Sequence, residues 1–111
     1  MCKLNLLYLD VDKIYVCSKC NTHLSAKNEL ISKNFYGHHG TAYLFNKVIN
    51  IKQGILEDRT MRTGLHTVCD IYCIYCQAIL GWKYERAYEN SEKYKEGKYI
   101  LERICIKRIG W

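Results

Sequence analysis

The 111 residues predict a mostly β domain of two packed sheets, with at most short helices. Three observations carry that reading. Short runs rich in β-forming residues are separated by glycine-bearing turns. One long run, Thr41–Ile51, is apolar on both faces, as in a strand covered on both sides. Helical signal is confined to a single segment of about two turns.

In chain order, Ile14-Tyr15-Val16 is a short strand leading into the first cysteine pair. Within Thr41–Ile51, strand alternation places Tyr43, Phe45, Ile49 and Ile51 on one face and Ala42, Leu44 and Val48 on the other. Gly37 and Gly40 bracket His38-His39 before this run and Gly54 follows it, so both ends read as turns. Leu56–Thr63, Thr67–Tyr72, Ile79–Arg86 and Lys98–Lys107 complete the predicted strands, with Gly64 and Gly97 as punctuation. The helix is Asn90–Glu96, with Asn90 or Ser91 as its cap and Gly97 in the left-handed position after it.

Length implies a single domain over residues 1–111, with a core at about 13–107 after a short N-terminal extension. The composition, 49% hydrophobic and 25% charged, is that of a soluble globular domain, and no run approaches the roughly 18 apolar residues of a membrane helix. The Leu4–Leu9 run is short, lacks a small-residue cleavage site and is followed by Asp10 and Asp12, so no secretory signal is expected. A reducing compartment follows, in which seven cysteines are thiols and ligands rather than disulfides. The net charge of +6 invites a nucleic-acid reading. Yet four zinc-bound thiolates would lower it to about +4, and the lysines and arginines form no dense run.

Cys17-Ser-Lys-Cys20 and Cys73-Ile-Tyr-Cys76 are two CxxC hooks separated by 52 residues. Each hook offers two sulfurs to one ion, and four thiolates close a tetrahedral Zn²⁺ site with no position left for substrate water, so the metal is expected to be structural. Cys69 is excluded on geometry: along a strand it lies about 13 Å from Cys73, too far to share an ion bound at about 2.3 Å. It reads as a core residue, Cys2 as exposed and incidental, and His23 as a ligand only if a cysteine is displaced.

The order Cys17-x2-Cys20, Gly40, Leu44, Asn50, Gly64, Cys73-x2-Cys76, Gly81-Trp82-x-Tyr84-Glu85, Lys95 and Glu102 resembles the Yippee-like family over about residues 13–107. The blocks LISKNFYGHHGTAYLFNKVIN, TGLHTVCDIYC, LGWKYE and KYKEGKYILER carry the likeness. The resemblance implies a β-tent fold, two antiparallel sheets meeting at an angle and pinned near the apex by a four-cysteine zinc site. A similar fold occurs in the thalidomide-binding domain of cereblon, in centromere-licensing proteins and in B-type methionine sulfoxide reductases. It also implies a eukaryotic, non-enzymatic protein of nucleus, cytoplasm and centrosome, linked to cell division. One branch belongs to a multisubunit ubiquitin ligase. Phe45–Val48 and Ile100–Arg103 lean towards that branch, whereas Gly64–His66 and Asp70–Tyr72 lean towards the other.

Alternation puts Leu80, Trp82 and Tyr84 on one face of their strand, and Gly81 permits close approach of a backbone or a ligand. In the cereblon domain the matching tryptophan and aromatic line a small-molecule cage. Carried over, these are Trp82 and Tyr84, while the cage's two further tryptophans have no counterpart here. The sequence therefore suggests an aromatic-lined cleft around Phe45, His66, Trp82 and Tyr84, able to take a peptide side chain, a cation or a small heterocycle. The same aromatics would equally serve to fill the space between the sheets.

The leading functional expectation is a zinc-stabilised protein-interaction module, with ubiquitin-ligase subunits among its candidate partners and no membrane. A methionine sulfoxide reductase-like enzyme using Cys105, with Arg103 and Lys107 lowering the thiol pKa, is the enzymatic alternative, although that family's surrounding motifs are missing. Nucleic-acid binding is the third.

Overall fold

A computed structural model describes residues 5–111. Cys2, and Leu4 at the head of the N-terminal apolar run, lie outside the described residues. The ordered elements are β1 (Ile14–Cys17), β2 (His23–Ala26), the 3₁₀ turn η1 (Lys27–Glu29), β3 (Leu30–Gly37), β4 (Gly40–Phe45), β5 (Ile51–Gln53), β6 (Glu57–Met61), β7 (Gly64–Cys73), β8 (Ile79–Ala87), η2 (Asn90–Lys95), β9 (Tyr99–Glu102), η3 (Arg103–Cys105) and β10 (Ile106–Ile109). All pairings among them are antiparallel. A small sheet has the order β10-β1-β2, and a large sheet the order β3-β4-β9-β8-β7-β5, with β6 also pairing along β7. This is the expected pair of antiparallel sheets, the β-tent.

The interior is divided into two. Between the sheets, Tyr15, Cys17 and Leu24 from the small sheet pack against Phe45, Ile71, Leu80 and Leu101 from the large one. A second cluster, Ala42, Leu44, Val68, Trp82, Tyr84 and Ile100, comes from the large sheet alone and lies on its outer face.

Several expected strands are divided differently. Thr41–Ile51 is not one strand. β4 stops at Phe45, and residues 46–50 cross over to the opposite side of the sheet, where β5 pairs with β7. The crossover is stitched to the small sheet: Ile49 N–H donates to Leu24 O (2.8 Å), and Ser25 Oγ donates to Lys47 O (2.6 Å). Asn50 ends it in the left-handed region (φ +57°). The two-sided apolar character of the run is thus partly that of a covered crossover. Likewise Lys98–Lys107 is two strands, β9 central in the large sheet and β10 at the edge of the small one, with η3 as the step between sheets. The expected helix is a 3₁₀ element without a side-chain cap, although Gly97 does take the left-handed conformation (φ +78°). β2 and β3 are additional strands. β3 carries two register shifts and a polar Lys33-Asn34 step, which blur its alternation.

Leu80 and Trp82 do not share a face. Ile71 opposes Gly81 while the adjacent Tyr72 opposes Ile79, so Leu80 is an extra residue in β8. Such a bulge reverses the alternation. Leu80 turns into the inter-sheet core, whereas Trp82 and Tyr84 turn to the outer face. What approaches Gly81 closely is the protein's own backbone: a Cβ there would sit 2.0 Å from Ile100 O on β9.

η2 is anchored against β8 through a buried cation. Lys95, 3% exposed, has its Nζ 2.7 Å from Glu92 Oε1 and 2.9 Å from Thr63 Oγ1. The hydrogen bond from Lys95 holds the Glu92 carboxyl below its ordinary 4.5, against the opposing effect of burial. Gly97 N–H, just beyond, donates to Tyr84 O at 2.8 Å.

Gly81→Ala should separate β8 from β9 and cost about 3 kcal/mol in denaturant unfolding, the upper range for overpacking. Because the folded-state pKa of Glu92 is depressed, its stabilisation is present above the unfolded value and is lost as pH falls through the folded one. Glu92→Gln should therefore lower stability by about 1–2 kcal/mol near neutral pH. The gap between the two proteins should close below about pH 4.5, measured as a difference in melting so that other acid-sensitive groups cancel.

Candidate functional site

The two hooks are built alike. Cys17 N–H donates to Thr22 O and Asn21 N–H to Cys17 O, both at 2.9 Å. Cys73 N–H donates to Ala78 O at 2.9 Å and Gln77 N–H to Cys73 O at 2.8 Å. In each hook the residue after the second cysteine is left-handed, Asn21 at φ +64° and Gln77 at φ +65°. That turn folds the backbone back and leaves both sulfurs on one side. Each hook is also tied to a connection between strands: Ser18 N–H donates to Cys105 O in η3, the step between sheets, and Ile74 N–H donates to Asn50 O at the end of the crossover within the large sheet.

The four sulfurs of Cys17, Cys20, Cys73 and Cys76 converge, all within 4.8 Å of one another, with Cys17–Cys76 at 3.6 Å and Cys20–Cys73 at 3.5 Å. Four ligands at about 2.3 Å in a tetrahedron stand about 3.8 Å apart. The donor set therefore fits a four-coordinate thiolate-bound ion, closed to further ligands. Burial pushes the Cys17 thiol up to about 12. At Cys20 burial acts the same way but is outweighed by hydrogen bonds from the Thr22 side chain and backbone, and its pKa falls to about 7. The Thr22 hydroxyl lies 3.0 Å from the Cys20 sulfur.

The other candidate ligands lie elsewhere. Cys69 is fully buried, with its sulfur 3.8 Å from Gln53 Oε1. His23 Nδ1 accepts the Leu9 N–H at 2.9 Å, while the Asn50 side chain bonds both backbone groups of Leu7 and His23 O. Cys105 donates to Ile79 O (3.4 Å), and burial, then Glu102, raises its pKa against the opposing charge of Lys19. That is the reverse of what a nucleophilic thiol needs, and Arg103 and Lys107 do not supply the expected positive field.

The four aromatic candidates are not brought together. Phe45 is fully buried between the sheets, its ring 5.1 Å from that of Tyr15. Trp82, Tyr84 and His66 are on the outer face, where Trp82 and Tyr84 meet edge-to-face at 6.2 Å. His66 lies buried beneath Tyr84 with its centroid 5.2 Å away, and its Nδ1 is 2.9 Å from Gly64 O. Trp82 and Tyr84 form the floor of a cleft of about 570 Å³, walled by Phe35 and Tyr36 of β3, Met61 and Tyr94. Among the described residues the Trp82 indole N–H has no hydrogen-bond partner; it partly offsets the burial that raises the Tyr84 phenol but stops short of a hydrogen bond to it.

Two constituents of this site stand in the sequence only as positions of the family pattern, with nothing local to show their role. Lys95 Nζ stands 5.2 Å from the Phe35 ring centroid and 5.4 Å from that of Tyr84, so the protein's own cation already occupies the aromatic cage. Glu102, 5% exposed, accepts the His39 N–H at 2.8 Å and lies where a side chain on Gly37 would fall. It thereby fixes the β3–β4 turn that brings the His38 ring within 6.2 Å of Trp82.

Comparison with known proteins places this architecture. The family described as Yippee zinc-binding/DNA-binding/Mis18, centromere assembly, matches residues 13–110. A potato "Protein yippee-like" is 55% identical over 94 residues, covering 85% of this chain and 73% of that protein. The human "Protein yippee-like 4" is 54% identical over 100 residues, 89% of this chain and 79% of that protein. Among solved structures, a "Crystal Structure of Mis18 'Yippee-like' Domain" superposes with a TM-score of 0.72 at 14% identity, covering 89% of this chain and 96% of that one. At that identity the superposition shows a shared fold alone. A family pattern over nearly the whole length, with identity above one half to plant and mammalian relatives, means that the chain belongs to the Yippee-Mis18 family.

Proposed function

We propose that residues 1–111 form one non-enzymatic protein-interaction domain. In this reading Cys17, Cys20, Cys73 and Cys76 hold a single structural Zn²⁺, and the outer-face cleft over Trp82 and Tyr84 receives a peptide side chain or a small heterocycle. The observation that carries the reading is the location of Trp82 and Tyr84: they pack outside the inter-sheet core and floor an open cleft. Filling the space between the sheets is the work of Phe45 and Tyr15 instead. A free cation is the weaker of the ligand classes, because Lys95 already sits against the Phe35 and Tyr84 faces.

The zinc assignment is supported by the all-sulfur donor set and by the family's description as zinc-binding. The ion would supply the link between the two hooks and leave no position for catalysis. A role in cell division or in ubiquitin-ligase assembly, in the nucleus and cytoplasm, draws support from the family likeness and from the words "centromere assembly" attached to it.

If the ion is structural, chelation at neutral pH should unfold the chain cooperatively, with loss of its β circular-dichroism signal, and added Zn²⁺ should restore it. Retention of the native melting temperature after complete metal removal would overturn the assignment. The cleft is tested separately by following Trp82 fluorescence and its indole NMR signal against libraries of heterocycles and short peptides. A binder should shift the indole resonance and lose at least about tenfold in affinity on Trp82→Ala. An indole signal unmoved by every compound removes the cleft from the reading and leaves the zinc site intact.

A further inference from the structure

We propose that the protein carries a second ligand site, a basic cleft at the mouth between the two sheets built to hold a phosphate monoester dianion. The site does not depend on the aromatic cleft, which lies on the other face of the large sheet. Tyr15 on β1 and Arg108 directly across from it on β10 form one side. Tyr43 on β4 and Lys33 on β3, with Lys33 Nζ 5.8 Å above the Tyr43 ring, form the other, and Arg103 of η3 closes one end. The cleft has a volume of about 380 Å³ and no carboxylate in its lining.

Two independent features mark it as a binding site. Among the described residues, none of its cations is in an ion pair, although Arg59, Lys83, Lys93 and Lys95 all are. Positive charges kept together without counterions favour an anion. Tyr15 is the second feature. Its ring is locked by Phe45 at 5.1 Å and Trp111 at 5.0 Å, and the residue is only 1% exposed. Among the described residues its hydroxyl has no hydrogen-bond partner, and Tyr15 lines the cleft. A rigid phenol beside guanidinium and ammonium groups is an arrangement that recognises a tetrahedral oxyanion.

The class of anion follows from shape. The cations line one half-open cleft rather than running as a stripe along the surface, so a single doubly charged group fits better than a nucleic-acid backbone. A phosphate monoester can arrive on a small metabolite or on a phosphorylated residue of a partner protein.

The test uses the zinc-loaded, isotope-labelled full chain, titrated with inorganic phosphate, with a capped tripeptide containing phosphoserine, with the unphosphorylated tripeptide, and with a short DNA duplex. Inorganic phosphate and the phosphopeptide should saturably shift the backbone signals of Tyr15, Tyr43 and Arg108, and the unphosphorylated peptide should not. Arg108→Gln and Lys33→Gln should each weaken binding about tenfold, and Tyr15→Phe about fivefold, with unchanged melting temperature. Tighter binding of the phosphopeptide than of inorganic phosphate identifies a partner protein as the source, and equal binding a small phosphate. The proposal is overturned if neither phosphate probe shifts these signals, or if the shifts survive both charge-removing variants. It also fails if only the DNA duplex binds, with affinity falling steeply in salt.

Discussion

The convergence of four sulfurs, two from each hook, is the constraint on which the rest of the molecule depends. One hook closes β1 of the small sheet and the other closes β7 of the large sheet, so the cluster joins sheets that share no strand pairing. The loop it closes spans more than 50 residues, and the entropy removed from the unfolded chain grows only logarithmically with that length. The larger consequence is geometric. A sulfur cluster a few ångströms across sets the distance and angle between two sheets whose facing surfaces are apolar and non-directional, with the crossover's hydrogen bonds to the small sheet as the other directional link. The matching hydrogen bonds and left-handed residues of the two hooks give the joint the same local geometry on both sides.

Each hook is in turn bonded to a connection between strands, the first to Cys105 O in η3, where the chain passes from the large sheet to the small one, and the second to Asn50 O at the end of the crossover from β4 to β5 within the large sheet. The first of these connections adjoins residues that serve both clefts. η3 contributes Arg103 to the basic cleft, and β9 just before it carries Glu102, which holds the β3–β4 turn beside Trp82. The apex therefore positions two sites on opposite faces of the large sheet without contributing a side chain to either.

β8 adds the second organising feature. Without the extra residue at Leu80, Trp82 and Tyr84 would face the small sheet and be sealed within the core. The bulge turns them outward, and Gly81 lets β9 approach closely enough to keep the sheet continuous there. The outer-face cluster is then covered on one side by η2. Its Lys95 satisfies Glu92 and Thr63 while its charge lies over two aromatic rings. A buried lysine without these partners would be strongly destabilising.

The sequence by itself determined the fold class, the four converging cysteines, the exclusion of Cys69 and most strand positions. These follow from spacing and alternation, which act over a few residues: a CxxC turn presents two sulfurs wherever it occurs, and period-two apolar patterning demands a sheet. Tertiary structure alone decided where Thr41–Ile51 and Lys98–Lys107 break, because those breaks answer to sheets assembled from distant segments. It also decided that Phe45 parts company with Trp82 and Tyr84, since the inserted residue at Leu80 reverses the side chains from there to Tyr84, before a second register shift, and strand alternation in the sequence does not mark it. The basic cleft was hidden for the same reason. Lys33, Arg103 and Arg108 are scattered in sequence and form no charged run; only the angle between the sheets, fixed by the sulfur cluster, brings them around Tyr15.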